Sequence, residues 1–232
     1  MSKEVDMFKG NALISSDMFK DLLDSAKQLA GGGGGYRRIS IRGGRFREII
    51  DGEQMNVNSS GSMNIVVLNS APMARFYYEG AYDPDKTAGP TCWSNDTQAP
   101  SSDVPEDQRQ AARCMDCPMN VKGSGQGESR ACRFSQRTAI AIEGQWDKVY
   151  QLQLPATSLF GKAENGKMPM QAYARYLLEN KMPPIGLVTQ MYFDEDSETP
   201  KLFFKAVRPL EDEELKACLE ARDSEDTRKA LD

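Results

Sequence analysis

Four of the five cysteines in this chain fall between residues 92 and 132, and there is no histidine anywhere in its 232 residues. From about residue 82 to residue 135 the regular spacing of apolar side chains gives way to Pro, Gly, Ser, Asn and Asp. A loop of that length inside a compact domain needs a tie. Cys114-x2-Cys117 puts two thiolates on one tight turn, the spacing that lets both reach a single tetrahedral ion, and Pro118 helps to fix that turn. Cys92 upstream and Cys132 downstream complete the pattern C-x21-C-x2-C-x14-C. The spacing predicts a structural Zn2+ held by Cys92, Cys114, Cys117 and Cys132, its shell closed and no position left to activate water. The competing readings are plainly buried cysteines, or a redox-active CxxC pair, which lacks here the βαβ pattern expected around it. Cys218 stands apart and receives no role.

The absence of histidine excludes Ser-His and Cys-His nucleophiles and the His-containing zinc sites of hydrolases. The N-terminus has no basic start leading into an apolar run, and no eighteen apolar residues follow one another. The expectation is a globular cytoplasmic chain without a membrane partner, in a compartment where cysteines bind metal more readily than they form disulfides.

Along the chain, Ser15 or Ser16 caps an expected helix that runs to residue 30 with Met18, Phe19, Leu22, Leu23, Ala26 and Leu29 on one face. Gly31 to Gly35 then read as a tether, so residues 1–35 form a separate N-terminal piece. Beyond it the period becomes two. Ile39 and Ile41 alternate with Arg38, Ser40 and Arg42, Gly43-Gly44 make a turn, and Arg45 to Ile50 return as a second strand. Further strands are expected at Asn64–Leu68, Ala74–Tyr78, Arg137–Glu143, Lys148–Leu154, Ile185–Phe193 and Lys201–Val207, with one helix at Pro169–Asn180. This count predicts a mainly β (α+β) fold over residues 36–210, a small antiparallel OB-like barrel with a zinc-stapled insertion at about 82–135 and a few attached helices. Residues 211–232 read as an acidic, loosely attached tail.

The net charge of −5 resides in that tail, where nine acidic residues face four basic ones, and the rest of the chain is balanced. Within the balanced part Arg37, Arg38, Arg42, Arg45 and Arg47 crowd the hairpin, interleaved with Tyr36 and Phe46. Arg75 precedes Phe76, Tyr77 and Tyr78, Trp93 adjoins Cys92, and Lys122, Arg130, Arg133 and Arg137 follow in the cysteine segment. Cations for phosphates beside aromatic faces for unstacked bases are what single-stranded nucleic acid requires. The stacking candidates are Phe46, Tyr77, Tyr78 and Trp93. The alternative for any one of these residues is a core ring or a solvated arginine. The acidic tail would cover the basic surface or dock replication partners.

The succession Y-R-R-I-S-I-R-G-G-R-F-R, P-T-C-W-S, C-M-D-C-P-M-N-V-K-G-S, A-C-R-F, L-Q-L-P-A-T-S and P-K-L-F-F, spanning residues 36–207, resembles single-stranded DNA-binding proteins of tailed bacteriophages. That resemblance implies an OB-type barrel, a strand-binding role in DNA replication and recombination without catalysis, and an acidic partner-docking tail. Two other functions compete with it. One is a zinc-stabilised interaction or regulatory protein that meets an acidic protein surface. The other is a magnesium-dependent nuclease using Asp83, Asp85 and Asp96.

Overall fold

Alternation of apolar side chains sets the two faces of the sheet that organises this protein. The computed structural model describes residues 37–80, 89–197 and 199–232; the helix expected before residue 30, the glycine tether, Asp83 and Asp85 lie outside them. Ten strands form one sheet: β1 (Arg37–Ser40), β2 (Phe46–Ile50), β3 (Glu53–Asn58), β4 (Ser62–Ser70), β5 (Ala74–Tyr77), β6 (Cys92–Ser94), β7 (Arg133–Ile142), β8 (Gln145–Pro155), β9 (Leu187–Phe193) and β10 (Leu202–Pro209). The helices are α1 (Ala156–Leu159), α2 (Met170–Glu179), α3 (Asp212–Asp223) and α4 (Glu225–Leu231). The main path runs β10-β9-β4-β7-β8-β1-β2-β3, with β5 attached to β7 and β6 to β5. Every pairing is antiparallel except β1 with β8, which is parallel.

The expectation of a mainly β chain with attached helices holds. The sheet is curled but open, a half-barrel, because β3 and β10 end the path without bonding each other. Its inner face carries Ile65 and Val67 of β4, Ile140 of β7, Tyr150, Leu152 and Leu154 of β8, and Leu202 and Phe204 of β10. Leu159 of α1 and Tyr173 and Leu177 of α2 close that side, and the Tyr173 and Thr189 hydroxyls hydrogen-bond at 2.7 Å. The curl brings β2 against β9, so that the Phe46 and Phe193 rings lie 4.5 Å apart between centroids.

Phe46 is therefore corrected from a stacking candidate to a core residue, 0% exposed, because the strand's alternation turns it inward while its neighbours Arg45 and Arg47 stay at the surface. Phe46→Ala is expected to cost about 3–5 kcal/mol of stability, the range for truncating an enclosed ring. Urea unfolding measures it, and a loss below about 1 kcal/mol would contradict the core assignment.

The outer face presents the other set: Val66 and Leu68 of β4, Ala139 and Ala141 of β7, and Val149 of β8. Two helices cover it, seating Cys218 and Ala221 of α3 and Ala230 of α4 among those side chains. Residues 211–232 are thus a packed helical pair and not the loose tail that their charge suggested. Small residues face the sheet, so the apolar stripe is real yet contributes little to hydropathy.

Helix α3 starts at a capping box between Glu211 and Glu214, and Arg208 joins it to the sheet, bonding Glu214 at 2.7 Å and Glu143 at 2.9 Å. The Arg208 guanidinium holds the Glu214 carboxyl down at about 2, against an ordinary 4.5. A carboxyl depressed in the folded state stabilises above its unfolded pKa and loses that contribution as pH falls through the folded one. Support for α3 should therefore fade between about pH 4.5 and 2. Trp146, packed against the apolar cluster that seats α3 and α4, reports the loosening by fluorescence, and Glu214→Gln should flatten the response across that window.

Candidate functional site

Backbone pairing gathers the four cysteines from distant parts of the sequence. Strand β6 begins at Cys92 and pairs with β5, Tyr77 opposite Cys92 and Arg75 opposite Ser94. Strand β5 also pairs with β7, placing Phe76 opposite Arg133, the residue after Cys132. Cys92 and Cys132 are thereby brought to the same end of three adjacent strands. Between them, two of the chain's 3-10 turns, Cys114–Asp116 and Pro118–Asn120, flank Cys117, after an earlier one at Glu106–Gln108. Two long-range bonds fasten these turns, Cys114 N–H to Gln98 O and Cys132 N–H to Met119 O, both at 2.8 Å, and the Asn120 amide ties one turn to the other through Cys114 O at 3.0 Å.

All four cysteines line one cavity of about 20 Å³, together with Arg75, Tyr77 and Trp93. They are unpaired thiols, Cys92, Cys114 and Cys117 buried and Cys132 half-buried. Burial raises the Cys114 thiol, partly offset by a hydrogen bond with Ser94 and by the Arg75 charge. Burial likewise pushes the Cys132 thiol up to about 11, again against the pull of Arg75. Among the described residues no group of three or more Cys, Asp or Glu side chains stands in metal-holding geometry as it is. The thiols share a wall and not a completed shell.

The space is large enough for one atom-sized guest. A water there needs two to four polar partners, whereas sulfur ligands suit a thiophilic ion. The donor set therefore fits zinc. Arg75 adds to that fit: only 7% exposed, it leaves Nε and Nη1 without a hydrogen-bond partner, and its guanidinium lies 3.9 Å from the centroid of the Phe134 ring. Arg75 is corrected from a phosphate contact to a buried neighbour of the thiols, since it lies on the same side of β5 as Phe134 of β7 and Ser94 of β6. Tyr77 shares that side and lines the cavity.

The opposite side of the same strands collects different residues. Phe76 pairs with both Trp93 and Arg133, and the Arg137 guanidinium lies 6.0 Å from the centre of the Phe76 ring. The row continues through the register, Arg137 facing Gln153 and Ala139 facing Gln151 on β8, Gln151 beside Arg38 on β1, and Ser40 facing Arg47 on β2. One face of the sheet thus carries Trp93, Phe76, Arg133, Arg137, Arg38 and Arg47. Arg38, Arg45 and Arg133 are exposed and make no ion pair among the described residues.

Helix α4 lies across the middle of this face. Gln151 donates to Ala230 O at 2.7 Å, Arg137 donates to the Asp232 carbonyl, and Arg37 meets Asp226 at 3.4 Å. Two basic flanks remain, the β1–β2 hairpin and the β5–β7 side. At the hairpin tip Gly43 and Gly44 take φ of 65° and 66°, which side chains resist, and Arg47 donates to the Arg42 carbonyl across the turn.

The other candidates are placed less favourably. Lys122 is paired with Glu128 and Arg130 bonds Asn120 at 3.2 Å, both on the cysteine loop. Tyr78 is half exposed at the end of β5. Asp96 is a turn cap, its carboxylate accepting from Ser94 Oγ, Gln98 N–H and Ala99 N–H, bonds that hold it below the usual carboxylate range. Phe76, 9% exposed, is a largely buried ring beside Arg137 on this face, and only the β5–β7 register reveals that it shares a side with Arg133. Among the described residues no helix is long and apolar enough to cross a membrane. Set against known protein families, curated proteins and solved structures, the chain matches none.

Proposed function

We propose that this chain is a zinc-stapled single-stranded DNA-binding protein, acting without catalysis in phage DNA replication or recombination in the host cytoplasm, its curled sheet serving as an OB-type platform. The observation that carries the reading is the shared face of arginines and rings, Arg38, Arg47, Arg133 and Arg137 with Trp93 and Phe76, given by strand register. Phosphates meet the arginines, and Trp93, half-buried and at the margin of the sheet, offers a stacking surface that any base can use. The zinc, held by Cys92, Cys114, Cys117 and Cys132, supplies a crosslink that fixes the strand bearing Trp93. These four thiols would hold the ion as thiolates, their protons released to solvent. Exposed carboxylates of α3 and α4, among them Asp212, Glu213 and Glu220, offer an acidic surface to partner proteins.

The test is a titration of fluorescent oligothymidine of about 30 nucleotides, longer than the ~4–16 that one OB fold occupies, beside a duplex control and at two salt concentrations. Single-strand preference with steep salt dependence supports the reading. Absence of binding at low salt overturns it and favours a protein ligand for the basic flanks, because counterion release is a property of polyanions.

A further inference from the structure

A buried arginine with idle donors beside four thiols needs an explanation. Taking a guanidinium out of water is costly unless a counter-charge meets it, and among the described residues Arg75 has no carboxylate partner and leaves Nε and Nη1 unbonded. Its one strong contact is the face of Phe134. That contact fixes the plane of the fork but neutralises nothing. The groups it faces are thiols: Arg75 lines the same small cavity as Cys92, Cys114, Cys117 and Cys132.

A zinc ion held by four thiolates carries two net negative charges, and in a buried site that excess has to be compensated. We propose that Arg75 is the built-in counter-cation of this centre, its idle N–H groups donating to cysteine sulfurs once the metal is bound, so that Arg75 sets the metal affinity without being a ligand. The inference rests on the zinc reading above. It explains why the arginine lies on the inner side of β5, opposite Ser94, while Phe76 next to it faces the basic side. It also explains the stacking on Phe134: a planar fork clamped on a ring can aim two parallel donors, which a lysine ammonium cannot. Residues around metal ligands typically change affinity 10- to 100-fold when replaced, and Arg75 belongs to that class as a positioning residue.

The experiment compares wild type, Arg75→Met and Arg75→Lys, each purified as full chain, by native mass spectrometry for metal stoichiometry, by competition with a chromophoric chelator for zinc affinity, and by thermal unfolding with and without zinc. Wild type should hold one zinc. Arg75→Met should bind zinc about 10- to 100-fold more weakly, with Arg75→Lys between the two. The unfolding data separate this role from plain packing. Without metal, Arg75→Met should match or exceed wild type in stability, since it removes an uncompensated buried charge; with metal it should fall below. Equal zinc affinity in wild type and Arg75→Met, or a loss of stability that is the same in both metal states, overturns the role of Arg75 and leaves the zinc site standing. A wild type that binds no zinc overturns the site and Arg75's role together. Should Arg75→Met fail to fold, the lysine variant decides: unchanged affinity overturns the proposal and weakened affinity supports it.

Discussion

Replacing Cys114 and Cys117 together by serine is expected to abolish zinc binding and to unravel residues 92–132 while the curled sheet survives. The size of the effect follows from what that segment buries. Apart from the cysteines, Val104 is the one apolar side chain of described residues 89–132 that is buried. That leaves little apolar burial to offset the backbone entropy of ordering the segment, so much of its folding free energy has to come from the ion, whose binding contributes on the order of 10–16 kcal/mol in small zinc domains. Limited proteolysis with mass mapping should show cleavage in the loop for the double variant, and for wild type after chelation, but not for zinc-loaded wild type. A chelated wild type that stays protected would show that the loop holds itself.

The second large effect concerns DNA. Changing Arg38, Arg45 and Arg133 to alanine removes three exposed cations that no described carboxylate neutralises, two on the hairpin flank and one on the β5–β7 flank. Each phosphate contact on a single strand contributes about 0.7 to the salt exponent, so the triple variant should lower the slope of log K against log salt by about 2. Trp93→Ala should behave otherwise, weakening binding about 5- to 150-fold through lost stacking while leaving the slope unchanged. The two signatures together separate phosphate contacts from base contacts. If the triple variant keeps the wild-type slope, the basic face is not where the strand lies.

Legibility in the sequence tracked burial. The runs expected as strands at Lys148–Leu154 and Ile185–Phe193 stand as β8 and β9, the second beginning at Leu187 after the 3-10 turn Pro184–Gly186, because apolar side chains recur along them at strand length. The edge strand β3 went unread because Glu53, Gln54, Met55 and Asn56 are all exposed and carry no alternation to detect. Strand β6 is three residues in a Pro/Gly-rich stretch, and its pairing with β5, not its own composition, makes it a strand. The cysteine cluster was legible from spacing alone. The partition of Arg75 and Phe76 to opposite faces was not, since it depends on which residue of β7 each one meets. The packing of α3 and α4 escaped for a different reason: Cys218, Ala221 and Ala230 are too small to mark an apolar stripe among so many charges.

The parallel pairing of β1 with β8 has a temporal meaning. Arg38 and Gln151 are neighbours across that pair yet stand more than a hundred residues apart in sequence, whereas β7–β8 and β9–β10 are formed by nearer neighbours. Pairings that close so long a loop come late and slowly in folding. The β1–β3 ribbon, like β9 against β4, where Ser62 faces Tyr192, is therefore expected to dock after the β7–β8 hairpin exists, and the hairpin flank of the basic face is assembled in the same late step. Any change that weakens the β1–β8 seam should retard the appearance of strand-binding competence more than the appearance of secondary structure.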